Sequence, residues 1–295
     1  MRLRKVALSL TALGILGWAA AAIRHDEPAS PGVARVAAAP ALEATVVRGQ
    51  PVRSTQGDLT VWLPSELAVS GSAFDVVVHF HGSSDIQEKN ADEAGLKAVI
   101  VSANEGMGST PYARAFERPG SLERALDLAT RTVAASGRLD PALGEPRVRR
   151  VALSSWSAGG ASVKEILSRE NDAERVDAVF LADGMFSRFS DPRSKAVAAK
   201  PLDPFVRFGR RAIDGEKLMV VTHTAIETPQ FPNVKECTDV VLEALDVPTS
   251  DSAVYSLHRG DLHVRGSAGK GPQDHVAQIR ALDEAYGMLA RRWRH

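Results

Sequence analysis

Short apolar runs that alternate with helical patterns are the feature that most constrains the fold. The segments "FDVVVHFHG" (74–82) and "LKAVIVSA" (96–103) are rich in β-branched residues and lack strict polar alternation. Such runs are typical of strands buried on both faces of a parallel sheet. Further runs follow as "VRRVALS" (148–154), "VDAVFLADG" (176–184) and "KLMVVTHTA" (217–225). Their alternation with helices predicts one α/β domain around a mostly parallel central sheet flanked by helices.

Helical spacing is visible between several of these runs. Leu122, Leu126, Ala129 and Val133 fall on one face of a predicted helix, and "PFVRFGRRAI" predicts another. A strand near "AVYSLH" is expected to precede a single final helix. Its apolar face comprises Val276, Ile279, Leu282, Tyr286, Leu289 and Trp293. Near the start of the domain, "ATVVRG" and "DLTVWLP" predict two strands joined by a polar turn.

The N-terminal region has the order of an export signal. A basic "MRLRK" precedes the uncharged "VALSLTALGILGWAAAAI", which ends in small residues suited to cleavage. We therefore expect a signal peptide or signal anchor over residues 1–24, an Ala/Pro-rich tether over 25–44 and the folded domain over 45–295. An uncleaved anchor is the alternative, since about 18 apolar residues can just span a bilayer. Either form predicts an exported protein, periplasmic or extracellular.

Composition excludes several classes of partner. Lys and Arg together number 36, as do Asp and Glu, so the net charge gives no reason to expect a nucleic-acid partner. Membrane contact is expected only through an uncleaved leader. Cys237 is the only cysteine, which rules out an intrachain disulfide. The expected partner is a small-molecule or acyl substrate, and the oligomeric state is left open.

The segment "SSWSAGG" (154–160) lies between a predicted buried strand and a predicted helix. A sharp turn there would place Ser157 at the corner, as in a nucleophile elbow. Ser155 and Gly159, two residues before and after it, must be small because strand and helix nearly collide. The usual G-x-S-x-G pattern has glycine where this chain has Ser155. A serine-rich turn or helix N-cap is the structural alternative.

A second loop, "HFHGSSD", ends the upstream strand that contains His79. In a serine hydrolase, a loop at this place supplies one oxyanion-hole N–H, and the residue after the nucleophile supplies the other. These groups would be the amides of Ser83 and Ala158. Gly82 would allow the backbone to approach a substrate closely. We expect His79 to be a hydrogen-bonded core residue.

The candidate general base is His275, in "GSAGKGPQDHV" at the mouth of the last helix. A base must reach the serine from a loop above the sheet, after the last strand. Among the eight histidines His275 fits that place best. His263 is the main rival and His258 a weaker one.

Two acids end strands downstream of the elbow and could orient the base. Asp183 closes "VFLADG", and Glu227 follows the next strand in "VVTHTAIETP". Both fit the chain order serine, acid, histidine. Asp183 is favoured because it ends a wholly apolar strand, with Glu227 as the alternative acid. His223 ends its strand at the same edge and is expected to line the pocket, as is Trp156 beside the serine.

From about residue 45 onward the chain resembles the α/β-hydrolase fold superfamily. The resemblance rests on "HFHGSS", "SSWSAGG", "LADG", "VVTHTAIETP" and "PQDHV". It implies a Ser–His–acid hydrolase without a metal or organic cofactor, most often one that hydrolyses carboxylic esters through an acyl-enzyme. Peptide or amide cleavage stays open, since a fold does not fix its substrate.

A short lid-like insertion is expected after the strand that ends at Asp183. It covers residues 184–205, long enough to roof the site and too short for a cap domain. Its Met185, Phe186 and Phe189 would form either an apolar wall for a substrate or part of the core.

Two other classes of protein remain open at this point. A metal hydrolase could use the two histidines of "HFH" with His223 and a carboxylate, since alternate residues of a strand point to one side. It would leave the elbow unexplained. A non-catalytic, hydrolase-like binding protein of the cell envelope is compatible with the missing elbow glycine.

Overall fold

The computed structural model describes residues 44–191 and 193–294. The predicted leader and nearly all of the tether lie outside the described residues. The strands are β1 Thr45–Arg48, β2 Val52–Gln56, β3 Leu59–Leu63, β4 Glu66–Ser70, β5 Ala73–Phe80, β6 Val99–Ala103, β7 Arg147–Trp156, β8 Val176–Ala182, β9 Phe189–Asp191, β10 Ala196–Val197, β11 Leu218–His223, β12 Tyr255–Arg259 and β13 Leu262–Gly266. The helices are α1 Ser84–Glu93, α2 Ser109–Phe116, α3 Ser121–Ala135, α4 Gly160–Leu167, α5 Glu170–Arg175, α6 Asp203–Ile213, α7 Val234–Ala244, α8 Pro272–Arg280 and α9 Leu282–Trp293.

The main sheet has the strand order β12-β13-β11-β8-β7-β5-β6-β3-β2, with β4 and β1 attached beside β5. The six strands from β13 to β6 are mutually parallel, and every strand outside them pairs antiparallel with its neighbour. The predicted mostly parallel sheet is therefore confirmed. Because parallel strands all end at one edge, the loops after β5, β7, β8, β11 and β13 meet there.

The sheet is covered on both faces, which explains its continuous apolar strands. Val76, Val78 and Phe80 of β5 face a core shared with α2, α3, α4, α6 and α7. Val77, between them in sequence, faces the opposite core with α1, α8 and α9. Successive side chains of a strand point to opposite faces. A strand in the middle of this sheet therefore needs apolar residues at nearly every position.

Three details differ from the expectations drawn from sequence. The segment "DLHVRG", for which no strand was predicted, forms β13, the last parallel strand, and places His263 beside His258 in the neighbouring β12. The single final helix is two helices, α8 and α9, separated at Ala281. Helical spacing continues across Ala281, so the periodicity carries no sign of the break. The strand β1 pairs with β4 and not with β3.

The helix α7 was not anticipated from the sequence. It begins at an Asn233–Glu236 capping box, in which each side chain accepts a hydrogen bond from the other residue's backbone N–H. Among the described residues, no helix is long and apolar enough to cross a membrane.

Candidate active site

Ser157 lies at a strained corner between β7 and α4. Its φ is 49°, in the left-handed region that residues with a side chain seldom adopt, and a short 3₁₀ turn, Ser157–Gly159, leads into the helix. A Cβ on Gly159 would lie 2.1 Å from the Phe80 carbonyl oxygen, and one on Gly160 would lie 1.6 Å from that of Gly184. The two glycines therefore allow the chain to turn directly against the neighbouring strands.

The elbow accommodates Ser155 because the adjacent strand ends in a glycine. Ser155 is fully buried, and a Cβ on Gly184 would lie 3.5 Å from its Oγ and 2.9 Å from the Ser157 carbonyl oxygen. The space that an elbow glycine usually provides is thus supplied by Gly184, across the β7–β8 pair. Ser154 is also fully buried, on the opposite face of the strand. Of these three serines, only Ser157 lines the pocket at this edge.

Asp183 and His275 are brought together from distant parts of the chain. The Nδ1 of His275 donates a hydrogen bond to Oδ2 of Asp183 over 2.7 Å. Thr224 adds two more, from its backbone N–H at 3.0 Å and from its hydroxyl at 2.8 Å. The Asp183 carboxylate is 2% exposed and is held in one orientation by these three donors. The pairing assigns the proton to Nδ1, so Nε2 of His275 carries the lone pair.

Glu227, the alternative acid, lies elsewhere. Its side chain is 82% exposed, and its oxygen Oε1 lies 3.7 Å from the Lys270 ammonium at the pocket rim. The rival bases are also remote from the acid. His258 and His263 are directly opposite each other on β12 and β13, with ring centroids 6.1 Å apart.

A pocket of about 340 Å³ opens in front of these groups. Ser157, Asp183 and His275 lie along it, and most of the remaining lining is apolar: Phe186, Ile226, Phe231, Val234 and Pro272. Four more polar residues line it: Thr224, Thr228, Asn233 and, at the rim, Lys270. The pocket therefore places a serine, an imidazole and an apolar surface side by side.

The loop after β5 continues from His79 toward α1. His81 has a φ of 73° and Gly82 a φ of 105°, and Ser83 is the residue immediately before the first turn of α1, without a side-chain hydrogen bond to that turn. A Cβ on Gly82 would lie 2.4 Å from Ile279 Cδ1, so this glycine admits the helix α8 to close contact. Gly82 therefore lies close to a protein side chain, whereas the sequence had suggested that it would lie close to a substrate.

Two residues expected to line the pocket are turned away from it. His223 is fully buried, between the Tyr255 hydroxyl at 3.1 Å and the Thr224 carbonyl oxygen at 3.2 Å. Burial lowers the pKa of His223. The Trp156 indole contacts the rings of His81 and His275, with centroids 5.0 Å and 4.8 Å away. Neither side chain is part of the pocket lining.

The insertion after β8 contributes one of its three candidate wall residues. Phe186 lines the pocket and packs edge-on against Phe231, with centroids 6.2 Å apart. Met185 is fully buried in the core, and Phe189 lies half-buried in the short β9–β10 hairpin. Sequence reasoning missed Thr224, Ile226 and Phe231. The apolar residues within "AIETPQF" were a signal that could have identified the last two.

The histidines of "HFH" are committed to hydrogen bonds within the domain. His79 contacts the Ser154 hydroxyl and the His81 carbonyl oxygen, and His81 contacts the Tyr112 hydroxyl. Among the described residues, His, Cys, Asp and Glu side chains form no group of three placed to hold a metal ion. The arrangement required by the metal-hydrolase alternative is therefore not present in this part of the chain.

Strand order and site together define the class of fold. A serine stands at a strand-to-helix elbow, an acid follows the next parallel strand, and a histidine follows the last one. This chain order of serine, acid and histidine on a doubly covered parallel sheet is that of the α/β hydrolases. The chain has an α/β-hydrolase fold.

Comparison with solved structures finds similar architectures. A CE15 glucuronoyl esterase from Teredinibacter turnerae is 12% identical, with a TM-score of 0.42, over 86% of this chain and 79% of that one. A carboxylesterase described as putative, from Lactobacillus plantarum, is 15% identical, with a TM-score of 0.42, over 85% and 97%. An esterase from Pyrococcus furiosus is 13% identical, with a TM-score of 0.40, over 84% and 94%. No protein-family model and no curated protein matches the sequence. Each likeness concerns overall architecture.

Proposed function

We propose that the protein is a serine hydrolase that cleaves a carboxylic ester through an acyl-enzyme. The observation that carries the proposal is the hydrogen-bonded pair of His275 and Asp183, which shares one pocket with Ser157. A nucleophile, a base and a group that orients the base are the parts required for covalent catalysis by serine.

Each of the three side chains has a definite task. Asp183 accepts the Nδ1 proton of His275 and leaves Nε2 free to take the proton of the Ser157 hydroxyl. The Ser157 oxygen then forms a bond to the carbonyl carbon of the ester. His275 returns the proton to the departing alcohol oxygen, and water repeats the sequence to release the acid. No cofactor enters these steps.

Two backbone amides are proposed to hold the oxyanion. Ala158 is the second residue of the turn that begins at Ser157, and Ser83 immediately precedes α1. The first N–H groups of a helix have no partner within it, and the helix dipole favours negative charge there. Loss of one such donor typically costs about 10²- to 10³-fold in kcat.

The pocket favours an apolar group on the substrate. Three of the four polar side chains that line it beside the candidate triad are already engaged: Thr224 donates to Asp183, Thr228 donates to the Phe231 carbonyl oxygen, and Asn233 caps α7. The fourth, Lys270, is 71% exposed at the rim and lies 3.7 Å from Glu227. Burial of one methylene gains about 0.8 kcal/mol, which corresponds to roughly fourfold in kcat/KM. We therefore expect activity to rise from acetate to medium-chain acyl esters.

Location is proposed from the sequence alone. The basic, apolar and small-residue order of residues 1–24 favours export, either with cleavage near Ala22 or with retention as an anchor. Ester hydrolysis would then take place outside the cytoplasm.

The test is covalent labelling by a fluorophosphonate together with turnover of p-nitrophenyl esters. Ser157→Ala should abolish the label and leave a small residual rate. Ser155→Gly is the matched control, since it alters a buried neighbour and restores the common elbow pattern. Turnover by Ser157→Ala near that of the unchanged chain would refute the proposal.

Two further outcomes would favour the other classes. A folded chain with neither label nor turnover points to a non-catalytic binding protein. Turnover without labelling that stops on addition of a chelator points to a metal-dependent hydrolase.

A further inference from the structure

Trp156, the residue before the candidate nucleophile Ser157, is hydrogen-bonded through its side chain to the backbone of the candidate base His275. Trp156 is the last residue of β7, with extended φ of −120° and ψ of 141°. Its indole Nε1 donates a hydrogen bond to the backbone carbonyl oxygen of His275 over 2.8 Å. One residue therefore links Ser157, through the peptide bond, to the backbone of His275, although 118 positions separate Ser157 from His275.

The indole ring packs against two imidazoles. The His81 ring stacks on it with centroids 5.0 Å apart and planes 10° apart, and the His275 ring lies against it with centroids 4.8 Å apart and planes 34° apart. His81 is in turn fixed by the Tyr112 hydroxyl, 2.8 Å from its Nδ1. The ring of Trp156 therefore has little freedom to tilt.

The position of helix α8, which carries His275, depends on hydrogen bonds to other elements. Its one fully buried residue is Ile279, so apolar packing alone gives it a weak hold on the domain. Asn90, buried on α1, donates to the Ile279 carbonyl oxygen over 2.8 Å at the far end of the helix. Trp156 holds the near end. Asp183 holds only the imidazole, through Nδ1.

We propose that Trp156 is a positioning residue that fixes His275 relative to Ser157, through the indole N–H on the His275 carbonyl and the ring face against the imidazole. The role rests on the proposed serine mechanism. Asp183 fixes the rotation and tautomer of the imidazole, whereas Trp156 fixes the position of the His275 backbone. A shift of about 1 Å in a catalytic group can cost about a hundredfold in rate. Trp156 is not part of the pocket lining, and the role proposed for it is exerted through His275.

The first test is Trp156→Phe, which keeps an aromatic ring against the two imidazoles and removes the N–H donor. We expect kcat on a medium-chain p-nitrophenyl ester to fall by about tenfold to about a hundredfold, with KM changed by less than about twofold. Trp62→Phe, in β3, is the matched control and should leave both constants unchanged. A rise in KM at unchanged kcat would make Trp156 a substrate contact and overturn the proposal, as would kinetics equal to those of the control.

A second variant distinguishes the loss of the N–H donor from a general loss of folding. Incorporation of 3-benzothienylalanine at position 156 replaces only the indole N–H by sulfur and retains the size of the ring. It should lower kcat as Trp156→Phe does, while the downfield Nδ1 proton resonance of His275 persists because the bond to Asp183 is untouched. Loss of that resonance would mean a general disturbance of the site and would overturn the positioning role.

A fluorescence measurement at one fixed pH tests the contact without any turnover. The emission of Trp156 is obtained as the difference between the unchanged chain and Trp156→Phe. The His275 ring lies 4.8 Å from the indole, and an imidazole in contact with an indole quenches its emission, so the difference should rise in His275→Gln, in which the His81 ring is still present. Emission that does not depend on His275 would refute the positioning role even if the chain hydrolyses esters. A signal quenched by His275 in a chain that neither labels nor turns over would refute only the ester hydrolase.

Discussion

A buried histidine beneath the site makes the stability of the domain sensitive to acid. His79 is fully buried on β5; its Nε2 lies 2.8 Å from the His81 carbonyl oxygen and its Nδ1 lies 3.0 Å from the Ser154 hydroxyl. A carbonyl oxygen can only accept, so Nε2 carries the proton and Nδ1 accepts from Ser154. Burial lowers the pKa of His79 from 6.5 to about 3.

The magnitude follows from proton linkage. Below a pH of about 6.5 the unfolded chain binds a proton at His79, which the folded chain does not bind until about pH 3. The folded pKa is depressed, so for this basic group stability is lost as the pH falls below the unfolded value. Between about pH 7.5 and about pH 5, the His79 contribution to the free energy of unfolding falls by about 2 kcal/mol.

The assay compares urea unfolding of the unchanged chain and of His79→Gln at those two pH values. Glutamine keeps a donor for the His81 carbonyl and does not titrate, and all other titrating groups are common to both chains. The stability advantage of the unchanged chain should shrink by about 2 kcal/mol on acidification. An advantage that is the same at both pH values would refute the argument that His79 stays neutral because it is buried.

Three other predictions follow from the site and the leader. Asp183→Asn should lower kcat by about 10⁴-fold, because the imidazole is left in the wrong tautomer, whereas the exposed Glu227→Gln should be mild in the same p-nitrophenyl ester assay; the reverse ranking would move the acid to Glu227. Gly159→Ala should destabilise the fold by at least about 3 kcal/mol in urea unfolding, since its methyl group would meet the Phe80 carbonyl oxygen at 2.1 Å, whereas Gly287→Ala on α9 should cost nothing. N-terminal sequencing of the exported protein should begin near residue 23, and an intact Met1 in a membrane fraction would support an anchor instead.

The general architecture was predictable from sequence because it depends on local patterns. Continuous β-branched runs such as that of β5 reveal strands covered on both faces, and their alternation with helices implies parallel strands. The elbow at Ser157 was also visible, since small residues clustered between a strand and a helix leave few other conformations. Prediction from local patterns failed at two places where the pattern gave no clear signal. No strand was predicted for β13, which is only five residues long, and the helical spacing concealed the break at Ala281.

The relations within the site were decided by tertiary structure. Asp183 and Glu227 both follow strands and both precede His275 in the chain, so sequence left the two acids open. Trp156 adjoins Ser157 in sequence, yet its indole turns to His275 and away from the pocket. These outcomes depend on strand order and register, which bring loops together from 92 or 119 residues apart. Periodicity shows which side chains are buried and where the chain turns; which loops then meet is set by long-range strand pairing, for which a single sequence carries no local signal.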